Sequence, residues 1–364
     1  MDDTVWQAIH GVDQWVEAHD WKAYDPQDGL NSWLRPLAVG KLGRQALIQV
    51  VLRSPVNIRP MLGIKSATNT KAMGYFARGY LKLYQLTGDE AWLRKVDFCL
   101  DWLRKHPSPT QPGIAWGNHY DMQTRGYYLP KEQPTVVWTS LVGHAFVDAF
   151  EALGRTEDLD TAVQASQYIL EGFERRPLGD GVCISYVPNM FLAIHNASML
   201  AAGFLSRVYQ HTKEESLREV AAGAVAYTMG AQRPDGSFWY GEEPKFQWVD
   251  NWHTEYFLDS LWWYMQGTCD VAMTDQFRMG IRFWLDHYFL DDGTPRYYFD
   301  GTYPIDIQCA SQAIESLCLY TEAYDPSCLE LAEKVASWTI SNMQDEDGHF
   351  YYRSWPRWVV KTPL

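Results

Sequence analysis

The chain has 364 residues and a formal net charge of −14 spread along its length, which excludes a nucleic-acid binder, since phosphates demand a basic footprint. No stretch approaches 18 apolar residues, so no membrane span is expected. The six Cys show neither CxxC nor Cys–His spacing, so the sequence implies no metal site and no other cofactor, and the thiols suit a reducing compartment.

The N-terminal MDDTVWQAIHGVDQW lacks the basic and apolar regions of a signal peptide, so a cytoplasmic placement is expected. It enters an amphipathic pattern at once. Apolar spacing of i, i+3, i+4 and i+7 predicts twelve helices, at about 4–19, 34–54, 69–87, 89–105, 135–153, 157–174, 191–211, 214–232, 251–266, 273–289, 306–323 and 327–343. Most fall into pairs joined by short turns, such as LTGDEAW around Gly88 and LGRTEDL around Gly154, and short connections force antiparallel neighbours. The first member of each pair is small-residue and aromatic rich, as in HNASMLAAGFLSRVY; the second carries charge on one face, as in CLELAEKVASWTI. A helix apolar all round is buried and a striped one peripheral, so each pair is an inner and an outer helix.

Between the pairs an Asp-Gly or similar turn recurs at Gly181, Gly236, Gly293 and Gly348, at intervals of 55, 57 and 55 residues, with a degenerate copy at Gly113. Each is followed by an aromatic stretch. A fixed period of this kind means one supersecondary unit repeated. The chain is therefore expected to be all-α, one domain over residues 1–364: an (α/α)6 toroid of helical hairpins, with short β-hairpin loops at one end forming the rim of a cleft. After Gly348 the repeat requires another inner helix where the sequence reads KTPL. Either the first two helices close the ring or a final helix is lacking.

Aromatics are 15 % of residues, with 17 Trp and 22 Tyr. Such rings pack on the C–H faces of sugars while hydrogen-bonding at one edge, so an oligo- or polysaccharide is the expected partner. The long loop from Pro107 to Pro134 gathers Trp116, Asn118, His119, Asp121, Gln123 and Arg125, as a folded lid or a cleft wall. The starts of four inner helices carry Trp138, His195 with Asn196, Asp250 with Trp252 and His253, and Asp306 with Gln308; Tyr303 precedes the last. Asp250 and Asp306 also stand where N-caps belong. In a ring these groups converge. Glycoside hydrolysis needs two carboxylates flanking the bond, and Asp250 with Asp121, or with Asp306, supplies such a pair. His253 is a further catalytic candidate; Trp116, Trp252 and Tyr303 are candidate sugar platforms. Asp235, Asp292 and Asp347 are expected to be turn residues, because Asp-Gly suits tight reversals.

The Asp-Gly-aromatic loops between helical hairpins resemble the six-hairpin glycosidase superfamily. The segments WGNHYDMQTRGYYLPKEQPTVVWTSLVGHAF, VDNWHTEYFLDSL and DGTPRYYFDGTYPIDIQCASQAI look more closely like glycosidase-like proteins encoded with bacterial and archaeal exopolysaccharide genes. That resemblance implies the toroid and carbohydrate chemistry, and it assigns no catalytic residue. A glycoside hydrolase acting on a surface polysaccharide, uronate-containing or not, is the leading expectation. A polysaccharide lyase or uronate epimerase, with His253, Tyr303 and Arg125 in the acid, base and carboxylate-neutralising roles, is the alternative, followed by a non-catalytic glycan-binding protein.

Overall fold

A computed structural model describes residues 3–363 and contains twelve α-helices among them. They are α1 (Asp3–Ala18), α2 (Gly40–Arg53), α3 (Thr70–Thr87), α4 (Glu90–Lys105), α5 (Val136–Leu153), α6 (Thr156–Gly172), α7 (His195–Thr212), α8 (Glu215–Met229), α9 (Asn251–Thr268), α10 (Thr274–Tyr288), α11 (Ile307–Ala323) and α12 (Ser327–Met343). Short antiparallel pairs decorate the loops: β1 (Met122–Gln123) with β2 (Tyr128–Leu129), and β3 (Arg175–Leu178) with β4 (Gly181–Ile184). A third sheet has the order β5 (Ile305–Asp306), β6 (Arg353–Trp355), β7 (Trp358–Val360).

The inner helices are α3, α5, α7, α9 and α11, each packed on the next. Their burial explains their composition. In α7 every residue from His195 to Val208 is buried, whereas α8 buries one side only. Apolarity of α5 reaches a level that by composition alone would suit a membrane span, but its side chains are buried between α3 and α7. Local signals set the ends. Gly88 and Gly154 take left-handed C-cap conformations at φ 68° and 71°, and side chains of Asn69, Asp89, Thr135, Asp250 and Asp306 cap the helices that follow them.

The recurrent glycine turns form the joint between hairpins. A Cβ on Gly113 would stand 2.4 Å from the Gln164 carbonyl of α6, and one on Gly181 2.2 Å from the Tyr227 amide of α8. The same construction places Gly236 against Met279 of α10 (2.5 Å), Gly293 against Lys334 of α12 (2.7 Å) and Gly348 against Gly11 of α1 (2.2 Å). Each turn therefore seats on the backbone of the next outer helix, at a distance only glycine allows. Two of the joints carry an amide clamp. Gln232 Nε2 donates to Gly236 O and to Gln276 O of α10, and Gln344 Nε2 donates to Gly348 O and to Ala8 O of α1. Asp235 and Asp292 accept from the backbone and hydroxyl of the residue two on, and Asp347 accepts from the His349 amide, so all three are turn acids.

This register identifies α1 as the outer helix that follows α12. The alternative in which α1 and α2 together complete the ring is not what is seen. Instead α2 packs on the 3-10 turn Asp28–Asn31 and on β1, across the mouth of the cleft. Among the described residues no helix takes a sixth inner position; a cavity of about 430 Å³ lies there, lined by Trp15 and Val16 of α1, Tyr75 and Phe76 of α3, and Gln312 and Glu315 of α11. The expected cleft rim also needs correction. The Asp-Gly turns sit outside, against outer helices, and the aromatic stretches after them reach inward.

Gly348 adopts φ +100° and Gly79, in α3, has nothing within 4 Å of an added Cβ. We expect Gly348→Ala to cost about 3 kcal/mol, from backbone strain and the collision with Gly11, while Gly79→Ala is neutral or stabilising by up to about 1 kcal/mol. Urea unfolding of both variants checks this, and equal midpoints would remove the joint from the account.

Candidate active site

The N-terminal turns of the inner helices converge on a cavity of about 560 Å³. Each inner helix contributes from its first residues: Lys71 from α3, Trp138 from α5, Asn196 from α7, Trp252 and His253 from α9, Gln308 from α11. The loops after the glycine turns supply the walls, with Tyr186, Tyr240, Trp248, Tyr297, Tyr352 and Arg353. This central cavity shares Asp25, Lys71, Tyr256, Gln308 and Tyr352 with the side cavity between α1, α3 and α11, so the two chambers adjoin.

His253 is the best-oriented acid–base group. Its Nδ1 lies 2.7 and 2.8 Å from the two carboxylate oxygens of Asp250. The same carboxylate accepts from the His253 backbone amide at 3.0 Å and from Trp248 Nε1 at 2.8 Å. Asp250 is 1 % exposed, so a buried carboxylate fixes the imidazole and leaves Nε2 as the ring nitrogen for a ligand. Tyr256 follows one turn later, its hydroxyl 3.0 Å from that of Tyr75. Burial raises both phenols well above the usual tyrosine range, so both carry their protons at neutral pH.

The three nominated aspartates are all engaged elsewhere. Asp250 orients His253 and caps α9, as above. Asp306 caps α11 through the Gln308 amide and pairs with Arg353. Asp121 pairs with Arg35 and accepts from the Lys131 amide, and it lines neither cavity. The expected Asp250–Asp121 and Asp250–Asp306 pairs are therefore not flanking carboxylates. Asp121 ties its loop down, and the other two serve side chains that do reach the cavity.

Among the other candidates, Trp138, Asn196, Trp252, His253, Gln123, Arg125 and Gln308 line the central cavity. Gln123 accepts from Arg44 and donates to the Tyr127 carbonyl, which folds the β1–β2 hairpin, and the Arg125 guanidinium lies 5.0 Å from the Trp248 ring centre. His119 lines the side cavity, its Nδ1 unpartnered; burial lowers its pKa and keeps the ring neutral. The remaining four do not reach either chamber. Trp116 is fully buried, stacked on Phe146 with its indole N–H on the Leu103 carbonyl, so it is a core residue and not a sugar platform. His195 stacks on Tyr227 behind the wall, and burial lowers its pKa to about 4. Asn118 is buried beside its loop, and Tyr303 points outward at 44 % exposure.

Sequence reasoning missed Lys71, Asp25, Tyr256 and Arg353. Lys71 was legible, because Asn69-Thr70-Lys71 starts an inner helix in the way Trp252-His253 and Gln308 start theirs. Its Nζ lies 5.2 Å from the Trp138 ring centre and 5.9 Å from that of Trp252. It makes no ion pair among the described residues. Asp25 lies in irregular chain, where its Oδ2 accepts from Asn69 and its Oδ1 from the Gln27 amide, and no periodic pattern flags it. Among the described residues no group of three His, Cys, Asp or Glu side chains is placed to hold a metal ion.

No protein-family model matches the chain, and no curated protein matches it in sequence. The fold is found in solved structures. A cellobiose 2-epimerase from Bacillus thermoamylovorans superposes with a TM-score of 0.59 at 13 % identity, over 82 % of this chain and 84 % of that one. A GH76 α-mannanase from Bacteroides thetaiotaomicron gives 0.61 at 13 % identity, over 81 % of each chain. A polysaccharide lyase gives 0.58 at 12 % identity, over 84 % of this chain and 88 % of that one. At these identities the likeness shows the fold alone, a toroid of helical hairpins of the (α/α)6 type.

Desolvation pushes the Lys71 ammonium below its ordinary value, against the opposing fields of Asp25 and Asp306. The charged form is the disfavoured one, so Lys71 loses its proton at a lower pH than a solvent lysine, for which the value is about 10.4. After reductive ¹³C-methylation, one dimethyl-lysine resonance is expected to titrate before the rest and to be missing in Lys71→Met. Co-titration of all lysines contradicts the burial.

Proposed function

We propose that the protein is a carbohydrate-active enzyme that transfers a proton at a sugar carbon next to a carbonyl or carboxyl group. The His253–Asp250 pair in an aromatic cavity carries this reading. The imidazole, held through Nδ1, takes the C–H proton at Nε2, and the electron pair moves onto the adjacent C=O oxygen to give an enolate. Tyr256 then has two uses. Its hydroxyl returns a proton to carbon from the other face, which is epimerisation, or protonates a departing β-oxygen as the C–O bond breaks, which is elimination. The six-hairpin fold accommodates such chemistry, since its members include proteins named as an epimerase and a polysaccharide lyase. A bacterial or archaeal surface polysaccharide is the substrate source that the sequence resemblance suggests.

Glycoside hydrolysis is the second reading, favoured by one observation: Asp25 lines both chambers. It needs a second carboxylate at about 5–5.5 Å for retention or about 6.5–9.5 Å for inversion. The central cavity offers none beside Asp25, because Asp250 and Asp306 are spoken for. The side cavity offers Glu315, which is paired with Arg78 at 2.8 Å.

Incubation of the protein with reducing sugars and polyuronate oligosaccharides in D2O separates the readings. Epimerisation places deuterium at the carbon beside the carbonyl or carboxyl group, read by NMR, and elimination gives an unsaturated uronate, read by its ultraviolet absorption. His253→Gln is expected to lower kcat by about 10²–10⁴-fold. Asp250→Asn keeps the cap and so the fold, and lowers kcat with the imidazole no longer held by a carboxylate. New reducing ends with neither deuterium nor an unsaturated product, lost in Asp25→Asn, would instead establish hydrolysis.

A further inference from the structure

The charge of the cavity is opposite to that of the protein. In a chain of net charge −14, the central cavity is lined by Arg53, Lys71, Arg125 and Arg353 against one carboxylate, Asp25. Arg353 is spent on Asp306. Lys71 is different, because it stands at the junction of the two chambers over two indole faces, with no ion-pair partner among the described residues. An ammonium drawn out of water without a counter-ion is costly, and a bound anion would recover that cost. The inner helices add to the field: α3, α5, α7, α9 and α11 all begin at this cavity, with the positive ends of their dipoles toward it.

We propose that the substrate is an acidic saccharide, a uronate whose carboxylate seats on Lys71 between Trp138 and Trp252. The inference rests on the proton-transfer reading for its choice among anions. Neutralising a sugar carboxylate acidifies the neighbouring C–H, the bond His253 would break, whereas a phosphate or sulfate ester gives no such activation. Trp252 adjoins both groups, with its ring centre 4.6 Å from that of His253 and 5.9 Å from Lys71 Nζ. A pyranose packed beside this indole would lie near both the cation and the base. The reaction is then 5-epimerisation or β-elimination at a uronate. In the elimination, C5 loses its proton to His253, a C4=C5 double bond forms, and O4 leaves with the proton that Tyr256 donates.

The test measures binding without turnover. His253→Ala protein is titrated calorimetrically with alginate and pectate oligosaccharides and with the same oligosaccharides after carboxyl reduction. At least one uronate series is expected to bind ten-fold or more tighter than its reduced form, with the difference shrinking as salt rises. Lys71→Met should erase that preference and Lys71→Arg retain it. Lys71→Met should also melt no lower than its parent, since it removes an unpaired charge; a lower melting point with binding unchanged would make Lys71 a structural residue and overturn the proposal. Equal binding of uronate and reduced forms, or no binding of either, overturns it as well. Tighter binding of sugar phosphates or sulfates than of uronates overturns the carboxylate assignment. Failure of the proton-transfer reading shows separately, when the unaltered enzyme gives neither deuterium incorporation nor an unsaturated product.

Discussion

The architecture depends on one contact: a glycine backbone pressed onto the backbone of the next outer helix. It recurs from Gly113 on α6 to Gly348 on α1, always at distances that a Cβ would violate. Because each hairpin is fixed to its successor in this way, the inner helices pack one after another around the cavity. The Gln232 and Gln344 amides bridge the same two backbones and so hold each turn in register on its helix. A turn signal that in a lone hairpin would only reverse the chain here sets the geometry of a ring.

From that contact the site follows. With the inner helices starting around one space, the second and third residues of these helices meet across one cavity. Position within the first turn therefore matters more than residue type. Cap residues face back along the helix to satisfy amide donors, and the second and third residues after the cap point into the space. Asp250 and Asp306 are caps, while His253 and Gln308 are what the cavity sees. The carboxylates still contribute. Asp250 sets the tautomer and direction of the imidazole, and Asp306 holds Arg353 in the wall.

The aromatic excess divides along the same line. Trp116, Trp284 and Tyr288 fill spaces between inner and outer layers, whereas Trp138, Trp252, Tyr240 and Trp248 surround the cavity. Tyr240 and Trp248 stack at 4.5 Å with His253 against the Tyr240 ring at 4.5 Å, so the imidazole is held by rings as well as by its carboxylate. A cavity of this kind combines apolar faces with few, fixed polar groups, the usual make-up of a small-molecule site.

The sequence by itself determined the helices, their pairing, the inner or outer place of each, and the turn role of Asp235, Asp292 and Asp347. All of these follow from local rules: period 3.6, caps, and Asp-Gly reversals. It also marked the right helix starts, so Trp138, Asn196, Trp252, His253 and Gln308 were within reach. Only the tertiary structure decided which acids were free. Whether a carboxylate is a cap, an ion-pair partner or a catalyst depends in part on what chain distant in sequence brings to it, Arg35 to Asp121 and Arg353 to Asp306, whereas Asp250 is taken up by its sequence neighbours Trp248 and His253. Asp25 and Lys71 became site residues for the same reason. They lie more than 170 residues before His253 and share its cavity because the ring brings α3 and α9 across one space.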